Sequence, residues 1–182
     1  MIYDIYDSPL GQITICCDGT ALTAVTFAGQ KYEALHIPAD AIAGTHPVLA
    51  QTKLWLSSYF DGKVPDFLPP LTPKGTEFQQ RVWKALLQIP YGETITYGVL
   101  AKKLSCKSAQ AVGGAVGRNP ISILIPCHRV VGANGSLTGY AGGMPKKEAL
   151  LKLEKDHLIR RAHLGICTVL KESFCPQKIH RP

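Results

Sequence analysis

Cys127 is the residue whose setting most clearly suggests covalent chemistry. It lies in Ile125-Pro126-Cys127-His128-Arg129-Val130-Val131, where a proline fixes the backbone before it and two basic residues follow. The thiolate is the nucleophilic form of cysteine, and cationic neighbours or a helix start favour it. Read as an extended run, the segment points Cys127 and His128 to opposite faces, so a water would bridge sulfur and imidazole. Glu154 would then orient the imidazole, giving a nucleophile–base–orienter set. A buried structural cysteine beside a satisfied histidine is the competing reading of the same residues.

The other cysteines carry weaker signals. Cys16 and Cys17 are adjacent in a strand-like run, cannot share a face, and read as packing residues. Cys106 falls in a proposed turn, and Cys167 and Cys175 lie near the C-terminal end, where a disulfide or loose metal binding is a minor alternative. The absence of any Cys-x-x-Cys pair disfavours a zinc finger. Neither phosphate-cradling glycine pattern, GxGxxG or GxxxxGK, occurs. Instead Gly132, Gly135, Gly139, Gly142 and Gly143 follow Cys127, with Tyr140 among them, as a loop that can approach a ligand closely.

Charge separates the chain into unlike parts. Residues 1–71 carry a net −4 and residues 72–182 a net +11, which suggests two units, the second facing a polyanion. Within the basic part, residues 96–104 read as a short helix through Tyr97, Leu100, Ala101 and Leu104. Ser105-Cys106-Lys107 break it, and Ser108 caps a second helix running to about Gly117. With Lys102, Lys103, Lys107 and Arg118 nearby, the pair reads as a helix-turn-helix; a simple helical hairpin in a core is the alternative. Gly113-Gly114-Ala115-Val116-Gly117 would let the second helix sit close to another surface, either a neighbouring helix or a nucleic-acid backbone.

The elements around these are legible by period. Residues 2–7 and 12–27 are strand-like, with Ile13, Ile15 and Cys17 on one face and Asp18-Gly19 as a turn. Residues 47–60 read as a helix with Pro47 in its first turn and a stripe of Val48, Trp55, Leu56 and Tyr59. Pro65, Pro69, Pro70 and Pro73 exclude regular structure, which places a boundary there. Thr76 and Gln79 have capping-box spacing before a helix with Phe78, Val82, Trp83 and Leu86 buried, ending before Pro90. Pro145 opens the last helix, with Leu150 and Leu153 inward and Glu154 closing its apolar stretch. The resulting division is residues 1–71, 72–158, and an extension of unknown role at 159–182.

At 182 residues, 46% apolar and 18% charged, the chain has a globular composition rather than a disordered one. No run of eighteen apolar residues is present, so no membrane association is expected, and Met1–Gly11 lacks the pattern of a secretory signal. Reduced thiols and a cytoplasmic setting are the favoured reading.

Residues 125–131 resemble the active-site signature of the methylated-DNA–protein-cysteine methyltransferases, the O6-alkylguanine-DNA alkyltransferases. The resemblance extends through Phe78-Gln79-Gln80-Arg81-Val82-Trp83, Gly92–Tyr97, Ala111–Ala115, Arg118-Asn119-Pro120, Gly139–Gly143, Lys147-Glu148 and Leu150–Glu154. It is strong from about residue 72 to 158 and rests on layout and length before that. It implies an α+β fold: an N-terminal ribonuclease-H-like antiparallel sheet with a helix, then a C-terminal helical domain holding the helix-turn-helix. It implies direct-reversal DNA repair, in which Cys127 takes the alkyl group from O6 of a flipped guanine, less efficiently from O4-alkylthymine, and acts once. It assigns His128 to deprotonate Cys127 through water, Glu154 to support His128, Tyr97 to give a proton to the departing guanine, and Asn119 to hold the backbone as a hinge.

The resemblance further implies DNA contacts by Thr96, Gln110, Ala111, Gly113, Gly114, Ala115, Arg118 and Arg129, with the second helix of the motif in the minor groove. Gln110 stands where relatives often have an arginine finger, and it can fill space but brings no charge. Leu137, Thr138, Gly139, Tyr140, Ala141 and Gly142 match the loop over the flipped base, with Ala141 replacing a hydroxyl residue of some relatives. No metal and no organic cofactor is expected, because Cys16, Cys17, His36 and His46 form no convincing ligand set. The expected partner is double-stranded DNA with little sequence preference, bound by a monomer. Three other classes compete. A noncatalytic alkyl-DNA binder would lack Cys127. A cysteine hydrolase would rarely place cysteine and histidine adjacent. A transcription regulator would need a dimer element to read sequence.

Overall fold

The computed structural model describes residues 1–163. Strands β1 (Ile2–Ser8), β2 (Gly11–Cys17) and β3 (Leu22–Phe27) form an antiparallel meander. The turn after β2 is closed by Asp18, whose carboxylate accepts from the backbone N–H groups of Thr20 and Ala21. Beyond β3 come α1 (Glu33–His36), β4 (Ile42–Ala43) and α2 (Pro47–Phe60). The sheet order is β3-β2-β1-β4, and β4 lies parallel to β1. The sheet is therefore mixed rather than wholly antiparallel. A two-residue strand has too little periodicity to be read from sequence.

Ile13, Ile15 and Cys17 share the buried face, as period two requires, and pack with Leu49, Leu56 and Tyr59 of α2. Cys16 is equally buried on the other face, and every residue of β3 is buried, so both sides of this strand are covered.

The rest of the described chain is mainly helical. It comprises α3 (Glu77–Leu86), β5 (Ile95–Thr96), α4 (Tyr97–Lys103), α5 (Ala109–Gly117), a 3-10 turn at Cys127–Arg129, β6 (Val130–Val131) and α6 (Met144–His163). The capping box of α3 forms as the sequence indicates: Thr76 Oγ1 accepts from Gln79 N–H and Gln79 Oε1 accepts from Thr76 N–H. Thr96 and Ser108 cap α4 and α5 singly, each side-chain oxygen accepting from the N–H three residues on. The break between α4 and α5 is made by Ser105 at φ 52°. Helix α6 runs past residue 158 to His163, so the extension proposed at 159–182 begins inside a helix; Cys167 and Cys175 lie outside the described residues.

The sheet and the helical part are joined by backbone. The outer edge of β3 receives Leu22 N–H to Pro70 O (2.8 Å), Thr72 N–H to Leu22 O (2.8 Å), Val25 N–H to Pro120 O (2.9 Å) and Ser122 N–H to Val25 O (2.8 Å). The proline-rich linker and the segment leading to Cys127 are thus both fastened to the same strand. This satisfies the donors and acceptors that an edge strand would otherwise leave open.

Thr76→Ala removes the side-chain acceptor that closes the first turn of α3. It should cost about 1 kcal/mol in urea unfolding, with Thr76→Ser retaining most of the stability.

Candidate active site

Asn119, at the end of α5, builds the approach to Cys127. Its Oδ1 accepts from Ile121 N–H (3.0 Å), and its Nδ2 donates to Ile121 O (3.1 Å), Ile125 O (2.9 Å) and the Cys127 sulfur (3.1 Å). One buried amide therefore folds residues 119–127 into a fixed loop and touches the thiol. Cys127 and His128 lie in a 3-10 turn rather than an extended run, and both are buried.

Behind them sits Glu154 of α6, fully buried. Its Oε1 accepts from Tyr59 Oη (2.8 Å) and Arg129 Nη2 (2.8 Å) and lies 2.8 Å from His128 Nε2. Its Oε2 accepts from Gly92 N–H (2.9 Å) and Arg129 Nε (2.9 Å). Burial alone would raise the carboxyl pKa, but the hydrogen bond and charge of His128 and then those of Arg129 outweigh it, bringing Glu154 down to about 2. An ionised acceptor at Nε2 requires that nitrogen to carry the proton, which leaves Nδ1 as an acceptor. His128 Nδ1 is buried and has no hydrogen-bond partner among the described residues.

Burial pushes the Cys127 thiol above its ordinary value, against the Asn119 hydrogen bond and the Lys147 charge. Burial also pulls His128 below its ordinary value, although Glu154 opposes this. The thiol keeps its proton at rest, and burial disfavours a charged imidazole while Glu154 favours one. Basic neighbours were expected to favour the thiolate, and burial opposes them here. The Arg129 charge is neutralised by Glu154, and desolvation dominates at the sulfur.

Two assignments of DNA contact are also corrected. Arg129 is buried, with its guanidinium committed to Glu154 and to Ile89 O (2.7 Å), so it cannot reach outward. Ala115 faces inward with Val112 and Val116, and its carbonyl accepts from Trp83 Nε1 (2.9 Å). Gln110, Ala111, Gly114 and Arg118 are exposed on α5. A Cβ added at Gly113 or Gly114 would come no closer than 3.7 Å to any protein atom, an ordinary contact. The protein interior does not demand these glycines, so the room they leave is on the outer side.

That side is a cleft of about 730 Å³ lined by Tyr97, Gln110, Gly113, Gly114, Arg118 and the loop Thr138–Ala141, with Lys31 and Tyr32 at its N-terminal wall. Leu137 and Gly142 are not among its lining residues; the Gly142 backbone lies against Tyr140 and Phe27. Thr96 is half-buried and serves as the cap of α4. Tyr97 Oη donates to Thr138 O (3.2 Å), and Lys147 Nζ donates to the same carbonyl (2.7 Å) and to Val130 O (2.6 Å). Lys147 and Tyr59 were not singled out from sequence as site residues. The signal for Tyr59 was present: a tyrosine on a buried stripe must find a partner for its hydroxyl. Lys147 gave no such signal, because a lysine two residues into a helix reads as solvated.

A buried cysteine, a histidine held by an ionised carboxylate, and a helix-turn-helix beside an open cleft define a cysteine protein built for nucleophilic chemistry at sulfur. Residues 77–156 match the family model described as 6-O-methylguanine DNA methyltransferase, DNA binding domain, and residues 1–73 match its ribonuclease-like domain. The methylated-DNA–protein-cysteine methyltransferase of Methanosarcina acetivorans is 47% identical over 155 residues, covering 85% of this chain and 98% of that protein. The Haemophilus influenzae protein of the same name is 45% identical over 157 residues, covering 85% and 87%. The crystal structure of Mycobacterium tuberculosis OGT in complex with DNA superposes with a TM-score of 0.79 at 43% identity, covering 86% of this chain and 94% of that one. The chain belongs to the methylated-DNA–protein-cysteine methyltransferase family. It is a direct-reversal alkyltransferase that moves an alkyl group onto a reactive cysteine of its own.

Glu154→Gln would leave the Arg129 guanidinium buried against a neutral amide and should cost about 3–5 kcal/mol of stability. The wild-type carboxyl titrates at about 2 when folded against an ordinary value of 4.5. Its contribution is therefore complete above the ordinary value and is lost as pH falls through the folded one. Urea titrations across that range should show this acid-side decline in the wild type and a flatter curve in Glu154→Gln.

Proposed function

We propose that Cys127 is the alkyl acceptor and that its substrate is an O6-alkylguanine flipped out of double-stranded DNA. The observation that carries this is the buried Cys127 thiol, touched by Asn119, on a turn whose His128 presents an unpaired acceptor nitrogen. The thiol proton passes, through one water, to His128 Nδ1. The sulfur attacks the alkyl carbon, the carbon–O6 bond breaks, and a thioether forms. Tyr97 gives its hydroxyl proton to the departing guanine, and the proton held by His128 restores the balance. Glu154 stays ionised throughout and stabilises the imidazolium. The alkyl carbon is soft and uncharged, which suits sulfur, and charge on the leaving oxygen is offset by proton donation and nearby N–H groups. Among the described residues no group is placed to cleave the thioether, and each molecule acts once. O4-alkylthymine is a poorer substrate.

The DNA lies across α5, in its minor groove, with Gln110, Ala111, Gly113, Gly114 and Arg118 facing it and Thr96 at its border. The target base enters the cleft under Thr138–Ala141, since a base must leave the stack for chemistry at this position. Leu137 and Gly142 act as the ends of that loop rather than as contacts. Binding is weakly sequence-dependent, because the contacts are to backbone and groove shape. The protein acts as a monomer. Cys16, Cys17, Cys106 and Cys127 are free thiols, which suits a reducing compartment such as the cytoplasm.

Intact mass after mixing with a duplex containing O6-methylguanine should show a gain of one methylene, at one equivalent, mapped to Cys127. Cys127→Ala should show no gain while still binding DNA. A gain on another residue would overturn the assignment.

Gln110→Ala separates flipping from chemistry. Repair of a duplex substrate should slow, whereas reaction with free O6-benzylguanine, which needs no flipping, should keep its rate. Equal losses on both would place Gln110 in support of the pocket.

A further inference from the structure

Tyr59 lies on α2, in the N-terminal part of the chain, 95 residues from the carboxylate it touches. It is fully buried, stacked on Trp55 (ring centroids 5.4 Å apart) and edge-on to Tyr91 (5.8 Å). Its hydroxyl donates to Glu154 Oε1 at 2.8 Å and lies 3.5 Å from His128 Nε2. Packing fixes the ring, so the hydroxyl is aimed rather than free to turn. Burial, and then the negative charge of Glu154, hold its pKa well above the ordinary value, so it remains a donor.

We infer that Tyr59 is a positioning residue for alkyl transfer: its hydroxyl holds Glu154 Oε1 and takes a share of its charge, keeping His128 neutral with Nδ1 open toward the reaction. This rests on the reading of His128 as proton acceptor. Three donors converge on Oε1: Tyr59, Arg129 and His128. Each takes part of the carboxylate charge. With Tyr59 in place, Glu154 is a weaker partner for an imidazolium, and His128 stays neutral and ready to accept. Without the hydroxyl, more of that charge falls on His128 Nε2, and the carboxylate loses one of the contacts that hold its plane. The charged and titratable groups around this pair are Arg129, Lys147, Cys127 and Tyr91, with His157 hydrogen-bonded to Tyr91 Oη at 3.0 Å. None of them donates to Oε1 in place of Tyr59 except Arg129, which is already committed.

The test combines nitrogen-15 NMR of the histidine side chains with single-turnover transfer from an O6-methylguanine duplex between about pH 5 and 9. In the wild type, His128 should show the Nε2-protonated tautomer. Tyr59→Phe keeps the ring and removes the donor. It should keep the Nε2-protonated tautomer, move the His128 nitrogen titration and the acid limb of the rate profile to higher pH together, and slow transfer roughly tenfold, the size of one hydrogen bond to a charged group. Affinity for unmodified duplex should not change. Replacing Tyr59 with 3,5-difluorotyrosine strengthens the donor and should move the acid limb the other way; this variant decides the matter if Tyr59→Phe does not fold. A wild-type His128 titration and an unmoved acid limb would overturn the inference, whatever happened to stability. The NMR arm needs no alkyl transfer. A shifted His128 titration with an unchanged rate profile would therefore uphold the hold of Tyr59 on His128 while removing the role of His128 as proton acceptor.

Discussion

The buried carboxylate of Glu154 is the constraint on which the rest of the site depends. A charge in that position is tolerable only because donors surround it, and those donors come from α2, the loop before β5, and the turn after Cys127. Removing any one of these elements would leave an ionised group short of partners. The same atom set that makes the ion affordable also fixes His128 in one tautomer. Stability and reactivity are therefore expressions of one hydrogen-bond network rather than separate properties.

The thiol is handled differently. It is buried without a counter-charge in direct contact, and Asn119 holds both it and the backbone around it. A resting thiol in a buried site is protected from unwanted reaction, since the thiolate is the reactive form. Activation then requires a proton acceptor in place when the substrate arrives. On the outer side, Thr138 O receives both Tyr97 Oη and Lys147 Nζ, so the loop over the cleft is latched to the floor of the site and to α6. A base entering the cleft would meet a wall built from these shared bonds.

Local signals in the chain were read well and remote ones poorly, for physical reasons. The capping box at Thr76 and Gln79 depends on residues three apart, and its geometry follows from the types alone. The pairing of His128 with Glu154 follows from the residue types as a nucleophile–base–orienter set and from the resemblance, while no local rule brings α6 behind the turn. Arg129 was misplaced because a basic residue beside an active site is normally assumed to face solvent; its burial is decided by Glu154, 25 residues away. Ala115 could have been placed correctly, since Val112, Ala115 and Val116 follow helical spacing for a buried face. The parallel strand β4 is too short to carry a pattern, and Lys147 is buried by a loop that passes over it.

The bonds between β3 and Pro120–Ser122, and between α2 and α6, also bear on when the site can exist. Val25 meets Ile121, and Tyr59 meets Glu154 across 95 residues. Contacts of such sequence separation are made only after long loops close, and they tend to form late. During synthesis Cys127 leaves the ribosome before Glu154 does. Until α6 follows and docks, the emerging chain carries an ordinary thiol with no fixed base beside it. Reactivity is thus acquired only by a chain that has brought α2 and α6 together.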